Sequence, residues 1–213
     1  MPASVLKPAS TLPTALLLVD IQSGLSPSTG FFGSTRSTPS LESNIAALLA
    51  STRSYNASLQ APNNSNPSQK VLIVHVHHNS TNPTSPLYPG KDTNAAFSWS
   101  APIDGEVIFR KSVHSAFGGT ELEKLLREKA IKQLLICGIT TAHCVSTTTR
   151  MASDLNVVGD DGILALVEDG SAAFNTKQFD AETVHKVNVA SLEGEFAAVV
   201  GTKEILEVVL GEK

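Results

Sequence analysis

Six short apolar runs, spread along the whole chain, constrain the fold more than any other feature of the sequence. Each run is five or six residues long and shows no regular alternation of apolar and polar side chains. Runs of this kind predict strands that are buried on both faces, as in a parallel sheet. The six predicted strands are residues 15–19, 71–76, 105–109, 133–137, 162–167 and 196–200.

Segments with the apolar spacing of amphipathic helices separate these runs. Strand and helix therefore alternate, which predicts an α/β fold: a three-layer α/β/α sandwich on a doubly wound, mostly parallel, six-stranded sheet. Thr120 and Glu123 stand at the spacing of a capping box and indicate the start of the second helix. The predicted helices are residues 40–52, 120–130, 144–155, 181–192 and 202–210.

Two polar stretches interrupt this pattern. Residues 54–69 are rich in Asn, Ser and Pro, which favours a surface insertion. Residues 80–102 form a long, proline-containing loop that crosses near the strand ends, and loops of this length often bind ligands. No linker divides the chain, and 213 residues fit one large core. We therefore expect a single domain over residues 1–213.

The charge balance and the N-terminal sequence argue against several classes of partner. A net charge of -4 with no basic run argues against nucleic acid. No apolar run is long enough to cross a bilayer, so we expect no membrane partner. The first residues lack the basic start and long apolar run of a secretory signal, which favours the cytoplasm. Two cysteines, Cys137 and Cys144, are too few for a disulfide framework.

Polar side chains follow the predicted strands at their carboxyl ends. Asp20 follows the first strand, residues 77–79 follow the second, Lys111 follows the third, and Cys144 comes shortly after the fourth. Ligands of open α/β sheets bind beyond the carboxyl ends of the strands. We therefore expect an acid, a base and a thiol to meet at one edge of the sheet.

Cys144 stands after a strand and a turn, at the predicted start of a helix. There the helix macrodipole and a nearby Lys111 would lower the thiol pKa, and the thiolate is a nucleophile. From the residues alone, Cys144 could equally be a small buried side chain in a turn. Asp20 could cap a turn, and Lys111 could be solvated. Cys137, inside an apolar run, is predicted to pack in the core.

Longer stretches around these residues carry recognisable motifs. LLLVDIQ (16–22) places an acid after the first strand, and RKSVHSAFGGTELEKLL (110–126) places a lysine before an S-A-F-x-G-T segment. CGITTAHCVSTTTRMASDL (137–155) carries a cysteine. Together with SLEGEFAAVVGTKEIL (191–206), they resemble the isochorismatase-like hydrolases, a superfamily that includes nicotinamidases and N-carbamoylsarcosine amidohydrolases. The resemblance covers nearly the whole chain.

The resemblance implies a role for each matched position. Asp20 would accept the thiol proton and later activate water, Lys111 would stabilise negative charge, and Cys144 would form an acyl-enzyme. The family also has a cis peptide bond after the glycine of the third motif, which here is the bond Ile139–Thr140. The backbone N–H groups of Thr140 and Cys144 would then form an oxyanion hole.

The histidines near the second strand do not predict a metal site. Nicotinamidases of this superfamily hold a metal with a D-x-H arrangement, and no D-x-H occurs in this chain. His75, His77 and His78 cluster at the end of the second strand, but strand geometry divides them between two faces. We therefore expect no metal and no cofactor, and we place His75 in the core.

The strand ends and the long loop supply candidates for a substrate pocket. The residues predicted to line it are Gln22, His78, Asn79, Trp99, Phe117, Ile139 and His143. Four further side chains could form pocket walls or simply pack: Phe31, Phe32, Phe97 and His114.

A cysteine at the nucleophile position favours hydrolysis of a C–N bond, in an amide or carbamoyl group of a small molecule. One alternative is an isochorismatase that cleaves a vinyl ether with Asp20 as the acid. Another is a non-catalytic binding protein on the same fold. In this family the long loop often meets a neighbouring subunit, so the resemblance also implies a homo-oligomer.

Overall fold

A single six-stranded sheet organises the computed structural model, which describes residues 4–59 and 69–212. The strand order is β3-β2-β1-β4-β5-β6, and every pairing between these strands is parallel. The order reverses direction beside β1, so the sheet is doubly wound and the predicted fold class is confirmed. The strands are β1 (Thr14–Val19), β2 (Leu72–His78), β3 (Val107–Lys111), β4 (Gln133–Ile139), β5 (Ile163–Ala172) and β6 (Ala198–Val200).

The central strand β1 is buried along its whole length, which explains why its sequence shows no alternation. Leu16 and Leu18 point into one core layer, and Leu17 and Val19 point into the other. Helices cover both faces of the sheet, so both sets of side chains leave water. Gly138 allows β4 to lie close to β1 at this position, because a Cβ on residue 138 would collide with the Val19 carbonyl oxygen.

In the part of the chain that the structure describes, five α-helices form the two outer layers. Helices α1 and α5 pack on the layer of Leu16, and α2, α3 and α4 pack on the layer of Leu17. This is the predicted three-layer sandwich. The helices are α1 (Leu41–Ser58), α2 (Leu122–Glu128), α3 (Ser146–Asp154), α4 (Ala181–Ala190) and α5 (Thr202–Glu204), and α5 continues as a wide helical turn, Ile205–Val209.

Helix α1 is longer than the sequence predicted. It continues to Ser58, so the predicted surface insertion over residues 54–69 was wrong at its start. Asn56 holds this last part in place, because its side chain donates to Val71 O and accepts from Val71 N, each at 2.9 Å. These two hydrogen bonds to the backbone of Val71 therefore stabilise the last part of α1, where the sequence has a low helix propensity. The rest of the predicted insertion, residues 60–68, lies outside the described residues.

The start of α2 also differs from its prediction. Thr120 Oγ1 donates to Ala116 O at 2.6 Å and accepts from Leu122 N at 3.3 Å. The helix begins at Leu122, two residues after Thr120. The capping box with Glu123 is therefore not formed, since the hydroxyl is engaged by the preceding loop.

Strand β5 continues to Ala172, beyond the predicted end at residue 167. An irregularity in its pairing with β4 accommodates the extra length.

Among the described residues, no helix combines the length and the apolar character that crossing a bilayer requires.

Candidate active site

Four parallel strands deliver the candidate side chains to one edge of the sheet. Asp20 directly follows β1, His78 ends β2, and Lys111 ends β3. Beyond β4, the chain passes through Thr140 into a wide helical turn, Thr141–Val145, which contains Cys144. Neighbouring parallel strands end at the same edge, so residues far apart in sequence come together there.

Asp20 and Lys111 form a buried ion pair. Lys111 Nζ donates to Asp20 Oδ2 at 2.7 Å, and both side chains are almost completely excluded from solvent. Lys111 Nζ also lies 3.3 Å from His78 Nδ1. Removing either ion would leave the other charge buried and uncompensated. Asp20 has a positive φ of 57°, a conformation that costs energy for a residue with a Cβ and that is common at functional sites.

The thiol of Cys144 lies beside this pair. The Asp20 carboxylate, a ring nitrogen of His78 and Cys144 Sγ all lie within 4.8 Å of one another. Asp20 Oδ1 is buried and accepts no hydrogen bond from the described residues, so it is available to the thiol proton. His114 Nδ1 lies 3.8 Å from Sγ on another side. The structure thus brings Asp20, Lys111 and Cys144 together.

The acidity of Cys144 differs from the expectation based on sequence. Burial, reinforced by the negative charge of Asp20, raises the pKa of the Cys144 thiol to about 12, and Lys111 offsets only part of this effect. The predicted lowering was therefore wrong. Two structural reasons are that the thiol is buried, and that it lies late in a turn ahead of α3 instead of at a helix start. Burial therefore favours the neutral thiol at rest.

Burial also shifts the pKa values of Asp20, His78 and His143 at this edge. Burial raises the pKa of Asp20, and the neighbouring Lys111 only partly opposes this. Burial lowers the pKa of His78 and of His143, which favours their neutral imidazole forms. A neutral His78 can accept a hydrogen bond from the Lys111 ammonium.

Thr140 and Cys144 line the same side of the site. The peptide bond Ile139–Thr140 is cis. The Thr140 carbonyl accepts from His143 N at 3.0 Å and from Val145 N at 3.1 Å, and its hydroxyl accepts from Ala142 N at 3.2 Å. These bonds fix the backbone that leads to Cys144.

A pocket of about 150 Å³ opens onto the thiol. Three of the predicted lining residues are present in it: His78, Ile139 and His143. Three of the side chains whose role was open also line it: Phe31, Phe32 and His114. Five other lining residues carried no individual signal in the sequence, and these are Leu25, Ser80, Asn82, Ser85 and Leu87. The last four belong to the loop predicted to bind ligand.

Four predicted lining residues lie elsewhere. Gln22 is fully buried and bonds to the backbones of His78 and Asn94. Trp99 stacks on Phe97 at 5.1 Å and packs against the core under α1, so Phe97 is a packing residue too. Phe117 is buried in the opposite core layer, and Asn79 follows β2 but does not line the pocket.

One group of described side chains has the geometry to ligate a metal, and it is Asp20, His78 and Cys144. The Lys111 ammonium contacts two of them, so a cation there would face a positive charge. His75 lies on the other face of β2, buried, with Nε2 2.8 Å from Glu106 Oε2. The histidines are divided between two faces, as their spacing predicted, and Cys137 is buried in the core.

Comparison with known proteins agrees with this geometry. The model of the isochorismatase domain family matches residues 14–204. An uncharacterised isochorismatase family protein of Bacillus subtilis is 38% identical over 139 residues, which cover 63% of this chain and 72% of that protein. The crystal structure of a putative isochorismatase-family hydrolase from Chromobacterium violaceum superposes with a TM-score of 0.80 at 32% identity, covering 99% of each chain.

Some relatives carry names that state a reaction. A ureidoacrylate amidohydrolase of Azorhizobium caulinodans is 31% identical over 99 residues, covering 46% of this chain and 39% of that enzyme. An N-carbamoylsarcosine amidase of an Arthrobacter species is 46% identical over 52 residues, covering 24% of this chain and 20% of that enzyme. The family match spans nearly the whole sheet and the candidate site. This chain therefore belongs to the isochorismatase family of hydrolases.

Proposed function

We propose that this protein hydrolyses a C–N bond, in an amide or carbamoyl group of a small molecule, through an acyl-enzyme on Cys144. The observation that carries the proposal is the meeting of three side chains at one pocket. Asp20 and Lys111 are paired at 2.7 Å, and the Cys144 thiol lies beside them at the pocket floor. A nucleophile, a proton acceptor and a fixed cation are the parts that acyl transfer requires.

Asp20 accepts the thiol proton in this mechanism. Releasing that proton to water at pH 7 would cost on the order of 7 kcal/mol, given a thiol pKa of about 12. Transfer to Asp20 lowers this cost, because burial raises the carboxyl pKa and makes the Asp20 carboxylate a stronger base. Lys111 stabilises whichever of the two groups is negative. Proton transfer and attack are therefore coupled, and no free thiolate needs to persist at rest.

The chemical steps balance within these residues. Sγ bonds to the carbonyl carbon as its proton passes to Asp20, and that proton then goes to the departing nitrogen as the C–N bond breaks. Water next attacks the thioester and gives a proton to Asp20. The C–S bond breaks, and Asp20 returns the proton to sulfur. The N–H groups of Thr140 and Cys144 are the proposed donors to the oxyanion, a contribution that is typically worth about 10²–10³ in rate.

The names of two relatives support the choice of bond. Ureidoacrylate and N-carbamoylsarcosine both contain a carbamoyl C–N bond, and the relatives named for them are an amidohydrolase and an amidase. We extend that reaction class, and not those substrates, to this chain.

The test measures ammonia release from a panel of small amides and ureas. Cys144→Ser should lose about a thousandfold or more in kcat/KM, because nucleophile replacements in catalytic triads typically cost that much or more. Cys137→Ser is the matched control: this thiol is also buried, but it lies in the core and should be dispensable for chemistry. Activity retained in Cys144→Ser, with a normal fold by circular dichroism, would contradict the mechanism.

A vinyl ether hydrolysis is the second candidate, and one observation favours it. Burial raises the pKa of Asp20, which suits a carboxyl group that must donate a proton. Pyruvate release from isochorismate that is lost in Asp20→Ala but kept in Cys144→Ala would select this reaction over the first.

A further inference from the structure

The walls of the pocket are mostly hydrocarbon. Leu25 and Leu87 line it together with Phe31 and Phe32. The Phe32 ring stacks on the buried Phe174 at 6.1 Å, and Phe31 meets Phe32 edge-on at 4.9 Å. Phe32 is therefore fixed by packing and forms a firm apolar surface opposite the strand ends.

The pocket is small and partly open to solvent. A cavity of about 150 Å³ holds a molecule the size of benzene, with roughly six non-hydrogen atoms. The reacting amide uses about half of those atoms. What remains is space for a short alkyl or similarly compact group against the phenylalanine rings.

The charges of the pocket cancel. Among the described residues that line it, Asp20 is the only acid, and no Arg or Lys side chain lines it directly. Lys111 is not among the lining residues; its ammonium is paired with Asp20 at 2.7 Å and lies 3.3 Å from His78 Nδ1, so the charge of Asp20 compensates it. Burial favours neutral His78 and His143. A substrate carboxylate would lose hydration there without gaining an unpaired cation.

The polar groups of the covering loop are uncharged. Asn82 Oδ1 accepts from Thr84 N at 3.0 Å and from Thr84 Oγ1 at 2.9 Å, so these bonds do not use its NH₂ group. Ser80 and the buried Ser85 add hydroxyl groups to the lining. Amide and hydroxyl donors can bond a neutral carbonyl or urea oxygen well, but they do not replace a guanidinium as the partner of a carboxylate.

We infer that the substrate is a small uncharged amide or urea with a compact apolar substituent, and that the pocket selects against substrates bearing a carboxylate. This inference rests on the proposed function, because it concerns the same pocket. The inferred substrate differs in charge from ureidoacrylate and N-carbamoylsarcosine, the two carboxylates for which relatives of this chain are named.

The test uses pairs of compounds that differ only by exchange of a methyl group for a carboxylate. Butyramide is paired with succinamate, and N-propylurea with N-carbamoyl-β-alanine. Assays run at pH 8, where an unperturbed imidazole is neutral. We expect kcat/KM for each neutral compound to exceed that of its anionic partner by about tenfold or more, since an unpaired buried charge is costly. Equal rates, or a preference for the anions, would overturn the inference.

A charge introduced at the rim sharpens the comparison. Asn82→Arg places a cation on a lining residue, and we expect it to raise the ratio of anionic to neutral kcat/KM at least tenfold. Thr81→Arg is the matched control, because Thr81 is exposed, adjacent and outside the lining. Its ratio should stay within threefold of that of the unmodified protein. A ratio that moves equally in both variants contradicts a rim-specific effect.

Binding separates this inference from the proposed function. The shift in Tm that each compound produces is measured on the same protein without any need for turnover. A larger stabilisation by the neutral member of each pair supports the inference even if neither compound is hydrolysed. An equal or larger stabilisation by the anion overturns it. Turnover of the anions at least as fast as that of their neutral partners, lost in Cys144→Ser, would leave the proposed reaction standing while this inference fails.

Discussion

The acidity of Cys144 depends on two neighbours that act in opposite directions. The charge of Asp20 raises the thiol pKa, and the charge of Lys111 lowers it. Asp20→Asn should therefore make the thiol more acidic while abolishing hydrolysis, because the proton acceptor is lost. The readout is the rate of iodoacetamide alkylation against pH, measured in a Cys137→Ser background so that only one thiol reacts.

The control for this residue-level prediction is Asp161→Asn, which removes an exposed carboxylate. It should leave the alkylation profile of Cys144 unchanged. Lys111→Met should shift the profile in the opposite direction from Asp20→Asn, towards higher pH. A Cys144 thiol that ionises below pH 7 in the unmodified protein would show that burial does not dominate at this site.

At the scale of elements, Gln22 ties two strand ends and the covering loop together. Its Nε2 donates to His78 O at 3.1 Å and to Asn94 O at 2.7 Å, and its Oε1 accepts from His78 N at 2.7 Å. Asn94 in turn donates to Leu87 O at 2.7 Å. This network fixes His78 and the loop residues that line the pocket.

Gln22→Met keeps the side-chain length and removes all three bonds. We expect a loss of about 1–3 kcal/mol in the free energy of unfolding, because the backbone N–H of His78 and the carbonyl of Asn94 lose their partner. Urea denaturation measures it, and Gln178→Met, at an exposed position, should change stability by about 0.5 kcal/mol or less. A loss no greater than that of the control would mean that the network does not support the loop.

The elements also show what sequence reasoning could reach. Apolar runs without alternation predicted the parallel sheet. Because ligands of such sheets bind beyond the carboxyl ends of the strands, the sequence also predicted that Asp20, Lys111 and Cys144 lie close together. The end of α1 escaped prediction because a bond from Asn56 to Val71, distant in sequence, stabilises it. The raised pKa of the Cys144 thiol was not predicted, because its main cause is burial, which depends on the folded structure. The pocket walls at Leu25 and Leu87 come from loops whose path depends on such long-range bonds.

For the molecule as a whole, the site is assembled from parts that no single segment contains. Asp20 and Lys111 are 91 residues apart in sequence, and their contact exists only when β1, β2 and β3 lie side by side. Two core layers hold those strands in register. The homo-oligomer implied by the family resemblance stays a prediction. Ile108 on the edge strand β3 and Val113 just beyond it are about half exposed and could contribute to such an interface.

Intact-protein mass spectrometry tests the role of Cys144 most directly. p-Nitrophenyl butyrate acylates thiols readily, so a butyryl-enzyme should accumulate and survive an acid quench. We expect one added butyryl group on the whole protein, mapped by peptide analysis to Cys144, absent in Cys144→Ser and present in Cys137→Ser. Hydrolysis that proceeds with no covalent adduct, or with the butyryl group on any other residue, would contradict the mechanism.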